Sequence, residues 1–297
     1  MTMSSHVTAS VSRPLSDAEL AVILTRKPWW QRRDFLGSSA IAVVSTIVVV
    51  GLLGTIAVNS EGWLLFQRAF LNPEHFALSF PKIWEGFLLN VLLFVLIEPI
   101  VLIVGLVLAL LRNLSSPVFF PLRFFAIAFI DLFRGLPAIL VILMLGMGIP
   151  ALRIEGLSTS PLFWGAVACV LTSSAYTAEN YRAGIESIHP SQRAAARALG
   201  LGHGQTMWFV ILPQAVRRVT PPLMSGFIAL QKETALISVI GTMEATRAAQ
   251  AYSATTFNFT SYLVAALLFV AITIPLTRLT DHLLRRSEIR RTVGGAV

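Results

Sequence analysis

The sequence predicts an all-α membrane protein with six transmembrane helices, and three observations predict it. Of the 297 residues, 55% are hydrophobic and only 13% charged, where an average soluble domain is about one quarter charged. The mean hydropathy is +0.74, and apolar runs recur that are long enough to cross a bilayer, for which about 20 helical residues suffice. The basic residues gather at the ends of those runs. A formal charge of +8 then reflects topology and excludes nucleic-acid binding as the primary role. The lone Cys169 lies inside an apolar run, which excludes an intrachain disulfide and a thiolate metal cluster.

The elements follow in order. Residues 1–35 form an N-terminal tail, and 36–58 the first span, preceded by "RKPWWQRRD". This run is read as a retained helix, because it is long, begins late and lacks an A-x-A cleavage site. Residues 60–86 are expected to contain an amphipathic helix on the outer surface, with contact to another protein as the alternative. The second span covers 87–111 and is interrupted by Glu98-Pro99. The stretch 118–149 is too long for one simple crossing, and "DLFRGLP" at 131–137 should bend or break it. Ser160 as a cap and Pro161 in the first turn open a fourth span over 162–180. The fifth covers 222–243; the sixth covers 262–284 with an internal Pro275, and 287–297 is a C-terminal tail.

Charge orients these spans. With a cytoplasmic N-terminus, the tail (Arg13, Arg26, Lys27, Arg32, Arg33), the loop with Arg112 and Arg123, the segment from Arg182 to Arg218 and the C-terminal tail all fall inside. Only Arg68, Lys82, Arg153 and Arg247 fall outside, while Arg134 and Lys232 sit within spans. That asymmetry fits the positive-inside rule.

Between the fourth and fifth spans lies a segment neither apolar enough to cross nor polar enough to be disordered. His189-Pro190-Ser191 starts a helix, "QRAAARAL" favours one, and Gly200 and Gly202 offer a stop at a positive-φ residue. Pro213 is expected to end or kink a second helix. Ala194, Ala195, Ala198 and Leu201 share one broad face, small enough for a partner surface to approach closely. An ordinary helix at the membrane interface is the alternative reading.

The stretch "AAARALGLGHGQTMWFVILP" at 194–213 resembles the cytoplasmic loop motif of ABC importer permeases: E-A-A, three residues, G, nine residues, I, one residue, L-P. Ala194, Ala195, Ala196, Gly200, Val210, Leu212 and Pro213 occupy its positions, with alanine for the glutamate and valine for the isoleucine. "DLFRGLP", "AYTAENYRAGIESI" and "PPLMSGFIALQKETALISVIG" are similar, in the same order, to segments of polar amino-acid permeases of the histidine and glutamine type. The resemblance covers about 83–286. It implies a type I ABC importer permease core of five helices, with 36–82 adding a helix and an extracytoplasmic segment to it. It further implies a bacterial inner-membrane, multi-pass protein with both termini cytoplasmic.

The same resemblance supplies partners. It makes the loop 185–218 the site of coupling to a separate cytoplasmic ATPase dimer, through Ala194, Ala195, Ala196, Arg197, Ala198, Gly200, Leu201, Gly202 and Pro213. A second permease subunit, identical or paralogous, and an extracytoplasmic substrate-binding protein complete the assembly around an amino-acid substrate. No cofactor is expected in this chain, since it contains no G-x-x-x-x-G-K-[ST] phosphate loop; ATP and Mg belong to the partner ATPase. The chain itself is accordingly not expected to be an enzyme.

Pathway candidates are polar residues in apolar surroundings, where an ionised side chain costs several kcal/mol unless paired or hydrated. Glu98, Asp131, Arg134, Glu179, Lys232 and Glu233 qualify. Thr172, Tyr176 and Glu179 share one helical face, as do Gln231, Thr234, Ser238 and Thr242. Both stripes read as pathway lining, or else as interhelical hydrogen bonding. Glu98 reads as a contact for the amino group of any substrate amino acid or for the side chain of a cationic one, as a buried partner of Arg134 or Lys232, or as a neutral acid. Arg134 either meets a substrate carboxylate or satisfies backbone carbonyls at a helix break. Glu179 with Arg182 equally reads as a structural ion pair.

The five histidines are scattered, none paired at metal-ligand spacing. Trp29, Trp30 and Trp63 read as interface anchors to lipid. Other functional classes are an ABC permease for another small solute, a secondary transporter or channel independent of ATP, and a scaffold without transport. Repeated halves and more spans would mark the secondary transporter.

Overall fold

The computed structural model describes residues 33–114 and 116–294. The N-terminal tail, with Trp29 and Trp30, and residues 295–297 lie outside the described residues. Among the described residues every regular element is helical.

Helix α1, Arg33–Val58, stands as a unit of its own. Its segment Ser39–Val58 has a mean hydropathy of 2.6 and buries no side chain. An all-round apolar helix of this kind is suited to lipid.

The second unit begins at Leu65, within α2, Trp63–Phe70, whose Phe70 stacks on Phe259 at 5.1 Å. Helix α3 then runs over Pro73–Arg112, a length of 40 residues. Asn72 caps it, its side chain accepting from the amides of Glu74 and His75. The expected outer-surface helix over 60–86 is therefore confined to α2, and 73–86 belongs to the long helix. Nor do Glu98-Pro99 break it. Neighbours clamp α3 along its length: Ile83 and Phe87 pack with Ala245, Ala248 and Val264, Leu93 to Val101 with Ile142 and Ala168, and Leu108 with Ala126 and Ala178. Packing on this scale outweighs a missing hydrogen bond at proline, about 3 kcal/mol.

Helices α4, Phe120–Gly135, and α5, Ala138–Leu152, meet at 103°. The break expected in "DLFRGLP" is thus present, and its cause is local. Leu136 is extended at φ −95, ψ 135, as a residue before proline prefers. Helix α6, Pro161–Glu186, is capped by Ser160 with Pro161 in its first turn. It buries Gly165, Ala168, Cys169, Thr172 and Ala178 at the centre of the bundle, against α3, α5 and α8.

After the short α7, Pro190–Ala198, a turn at His203–Gln205 leads into a π-helical turn, Thr206–Ile211, and then α8, Leu212–Glu233. Pro213 does not end this helix. The amide of Leu212 donates to the carbonyl of Met207, five residues back, and the widened turn absorbs the proline ring. Helix α8 carries Pro221 and Pro222 internally, then tightens to a 3-10 helix at Thr234–Ile240. The expected fifth span over 222–243 thus starts ten residues earlier in the structure and closes at Gly241, φ +83. Helix α9, Ala245–Thr256, and α10, Thr260–Gly294, complete the chain, the latter continuous through Pro275.

By length and composition, four helical segments among the described residues suffice to cross a membrane, or five if the bent α4–α5 pair is one span. The expected count of six differs at α6. Its 26 residues are long enough, yet Thr172, Ser173, Ser174, Thr177, Glu179 and Asn180 make it too polar. A helix enclosed by other helices has no need of an apolar surface.

Candidate functional site

Two places collect the candidate residues. The first is a cavity of about 540 Å³ between α3, α6 and α8. Glu98 of α3 faces Thr172, Ser173, Tyr176, Thr177 and Asn180 of α6, and α8 contributes Ser225, Gly226, Phe227 and Glu233. Glu98 is 7% exposed, and no hydrogen bond or ion pair reaches its carboxylate among the described residues. The reading of Glu98 as a buried partner of Arg134 or Lys232 does not hold. Across the cavity the Ser173 hydroxyl donates to Glu233 Oε2 at 3.3 Å.

The candidate stripes divide. Thr172 and Tyr176 line the cavity, whereas Glu179 turns away from it. Gln231 and Thr234 are fully buried behind it: Thr273 Oγ1 donates to Gln231 Oε1 at 2.9 Å, and Asn90 Nδ2 donates to Thr234 Oγ1 at 3.2 Å. For these two the interhelical reading applies. Ser238 sits partly buried in the 3-10 segment, and Lys232 is exposed on another face of α8. Asn180 and Glu233 complete the lining, and helical spacing from Tyr176 and Gly226 marks both.

Below Tyr176 lies a charged cluster. Glu179 receives Arg112 of α3 at 3.3 Å, Arg134 of α4 at 3.6 Å, and Arg182 one turn on; Arg182 also meets Glu186. Arg134 lies 5.9 Å from the Tyr176 ring centre, and the Tyr176 hydroxyl donates to the Arg134 carbonyl at 3.3 Å. Three helices are thereby tied at one level by a single carboxylate.

The second place is α7. His189 caps it, accepting from the Ser191 amide at 3.2 Å, and Pro190 fills the first turn. At its end the Leu201 amide donates to the Ala196 carbonyl and the Gly200 amide to the Arg197 carbonyl. That pair of bonds is a Schellman stop, and Gly200 takes the required φ of +78. Gln205 Oε1 accepts from the Gly202 amide at 3.0 Å, which fixes the following turn. Ala194, Ala195, Arg197 and Ala198 are exposed, Leu201 is half-buried, and Ala196 is buried against the loop itself. Ala196 therefore supports the helix from inside and cannot present itself to a partner; Pro213 lies beyond, in the first turn of α8.

A Gly200→Val substitution is expected to cost about 1–2 kcal/mol, the left-handed penalty of a side chain. Hydrogen exchange should quicken over 190–201 and not in α3; unchanged exchange in the loop would contradict the stop described.

The family model for binding-protein-dependent transport system inner membrane components matches residues 101–289. The probable glutamine ABC transporter permease protein GlnM of Bacillus subtilis (strain 168) is 32% identical over 71% of this chain and 95% of its own length. The arginine transport system permease protein ArtQ of the same organism is 34% identical over 66% of this chain and 88% of its own. Among solved structures, an amino acid ABC transporter with histidines superposes with a TM-score of 0.63 at 32% identity, over 69% of this chain and 94% of that one. A methionine ABC transporter, MetNI, shares the fold at a TM-score of 0.56 and 16% identity. The charged cluster, the loop helix and all of the cavity lining except Glu98 fall inside residues 101–289, and the chain belongs to the family of binding-protein-dependent transport system inner membrane components, the membrane permeases of ABC importers.

Proposed function

We propose that this permease carries a polar amino acid across the bacterial inner membrane, through the cavity between α3, α6 and α8. The observation that carries the reading is α7: a helix capped at both ends whose exposed surface carries Ala194, Ala195 and Ala198 beside Arg193 and Arg197. Such a face suits a groove in a separate cytoplasmic ATPase, which binds ATP and Mg. Rigid-body motion of paired ATPase subunits passes through α7 into α6 and α8, which the loop joins. The loop and both termini are then cytoplasmic, and two permease subunits, identical or paralogous, flank one pathway in the lipid. An extracytoplasmic binding protein delivers the substrate to the outer face. The amino-acid substrates named for GlnM and ArtQ support this class.

The test is substitution on the exposed side of α7. Ala195→Glu and Ala198→Glu are expected to abolish amino-acid-stimulated ATP hydrolysis by the reconstituted complex, while the permease still inserts and elutes as a folded protein. Stimulation at the wild-type level in both would reject α7 as the docking helix.

A further inference from the structure

We propose that the cavity between α3, α6 and α8 selects a basic amino acid, pairing the side-chain ammonium or guanidinium with Glu98 and Glu233. The inference rests on reading that cavity as part of the transport pathway, and it adds the chemical class of the solute.

Charge in the lining carries it. Two carboxylates line the cavity from different helices, Glu98 from α3 and Glu233 from the last turn of α8, and the lining holds no lysine, arginine or histidine. The cations nearby are committed elsewhere or face elsewhere. Arg134 lies 5.9 Å from the Tyr176 ring centre, is held by Glu179 and is outside the lining, and Lys232, though adjacent to Glu233 in sequence, is exposed and outside the lining too. Glu98 is more than nine-tenths buried and has no counter-charge among the described residues. A carboxylate so placed is costly until a cation joins it.

A ligand that brings the cation supplies what the chain leaves out. Its own carboxylate meets donors, not acids, along α6, where Thr177 and Asn180 offer a hydroxyl and an amide; the Ser173 and Tyr176 hydroxyls already donate to Glu233 and to the Arg134 carbonyl. The volume of about 540 Å³ admits an amino acid with a long side chain. Glutamine presents no charge to either acid, and glutamate would be repelled by both. A site whose buried charges are paired by one ligand rejects the analogue that leaves them unpaired.

The experiment omits the binding protein, so that its selectivity does not mask that of the cavity. The permease–ATPase complex in lipid nanodiscs is titrated with radiolabelled L-arginine, in competition with L-lysine, L-glutamine and L-glutamate. Arginine and lysine are expected to bind at least about tenfold more tightly than glutamine, and Glu98→Gln and Glu233→Gln each to weaken arginine by about tenfold or more. Two variants on separate helices keep the test valid if one fails to fold. Glutamine or glutamate binding as tightly as arginine, or arginine affinity unchanged in both variants, would overturn the basic class and leave the cavity a transport site. No binding of any of the four by a folded, ATP-hydrolysing complex would overturn the class and the cavity reading together.

Discussion

Glu179→Ala is expected to lower the thermal stability of the purified permease more than removal of any one of the arginines around it. Arg112, Arg134 and Arg182 come from three helices and share that carboxylate, and only Arg182 has a second acid, Glu186. Without Glu179 three guanidiniums face one another, and each has lost the group that neutralised it. A fully buried pair broken in this way costs about 3–5 kcal/mol. Here the carboxylate keeps 19% of its surface and the arginines 24% to 39%, so water screens part of the loss and about 1.5–3 kcal/mol is expected. Glu179→Gln should fall between wild type and alanine, since the amide keeps an acceptor oxygen but not the charge. Melting followed by size exclusion in detergent measures both. High salt should narrow the gap, because the guanidiniums are reached by counterions. An alanine variant melting with the wild type would show that the cluster does not brace these helices.

That cluster also marks where the sequence stops being legible. Glu179 and Arg182 are three residues apart and declare themselves, but nothing local says that Arg112 and Arg134 arrive at the same carboxylate. The legible features are those whose cause is local. The stop at Gly200 needs only six consecutive residues, and the break after Gly135 needs only a proline two residues on. Thr172 and Tyr176 fall together in the cavity because α6 is a regular helix and keeps its period. Thr234 and Ser238 do not extend a lining stripe on α8, because the chain tightens to a 3-10 helix at Thr234 and the angular step changes from about 100° to about 120° per residue. Pro99 and Pro213 mislead for the opposite reason: each is a strong local signal overruled by its surroundings, packing around α3 in one case and a π turn in the other. The polarity of α6 hides a span-length helix because hydropathy measures contact with lipid, and α6 meets other helices.

The close contact between α3 and α9 is equally invisible in the sequence, and the second large effect is expected there. A Cβ at Gly86 would stand 2.5 Å from the Glu244 carbonyl carbon, 2.7 Å from the Ala245 nitrogen and 2.8 Å from the Glu244 oxygen. All three are backbone atoms, so no side-chain rotation relieves the clash and the start of α9 must move. That start is held from several sides. The Glu244 side chain, fully buried, accepts from the amides of Thr246 at 3.0 Å and Arg247 at 2.7 Å, and one turn along α3 Asn90 Oδ1 accepts from the Ala245 amide at 3.1 Å. Displacing Ala245 to admit a methyl group therefore stretches its bond to Asn90 and disturbs the contact of Thr234 with the same side chain. Overpacking alone costs about 1–3 kcal/mol, and an orphaned buried amide adds about 1–3 kcal/mol more. Gly86→Ala is expected to reduce the melting temperature sharply, and Gly86→Val to yield no folded permease. Gly148→Ala is the matched control, since a Cβ there meets nothing within 4 Å and alanine favours the helix by up to about 1 kcal/mol. If Gly86→Ala melted no lower than Gly148→Ala, the two helices would not be packed backbone to backbone at this point, and the cradle formed by Gly86 and Asn90 would not be what seats α9.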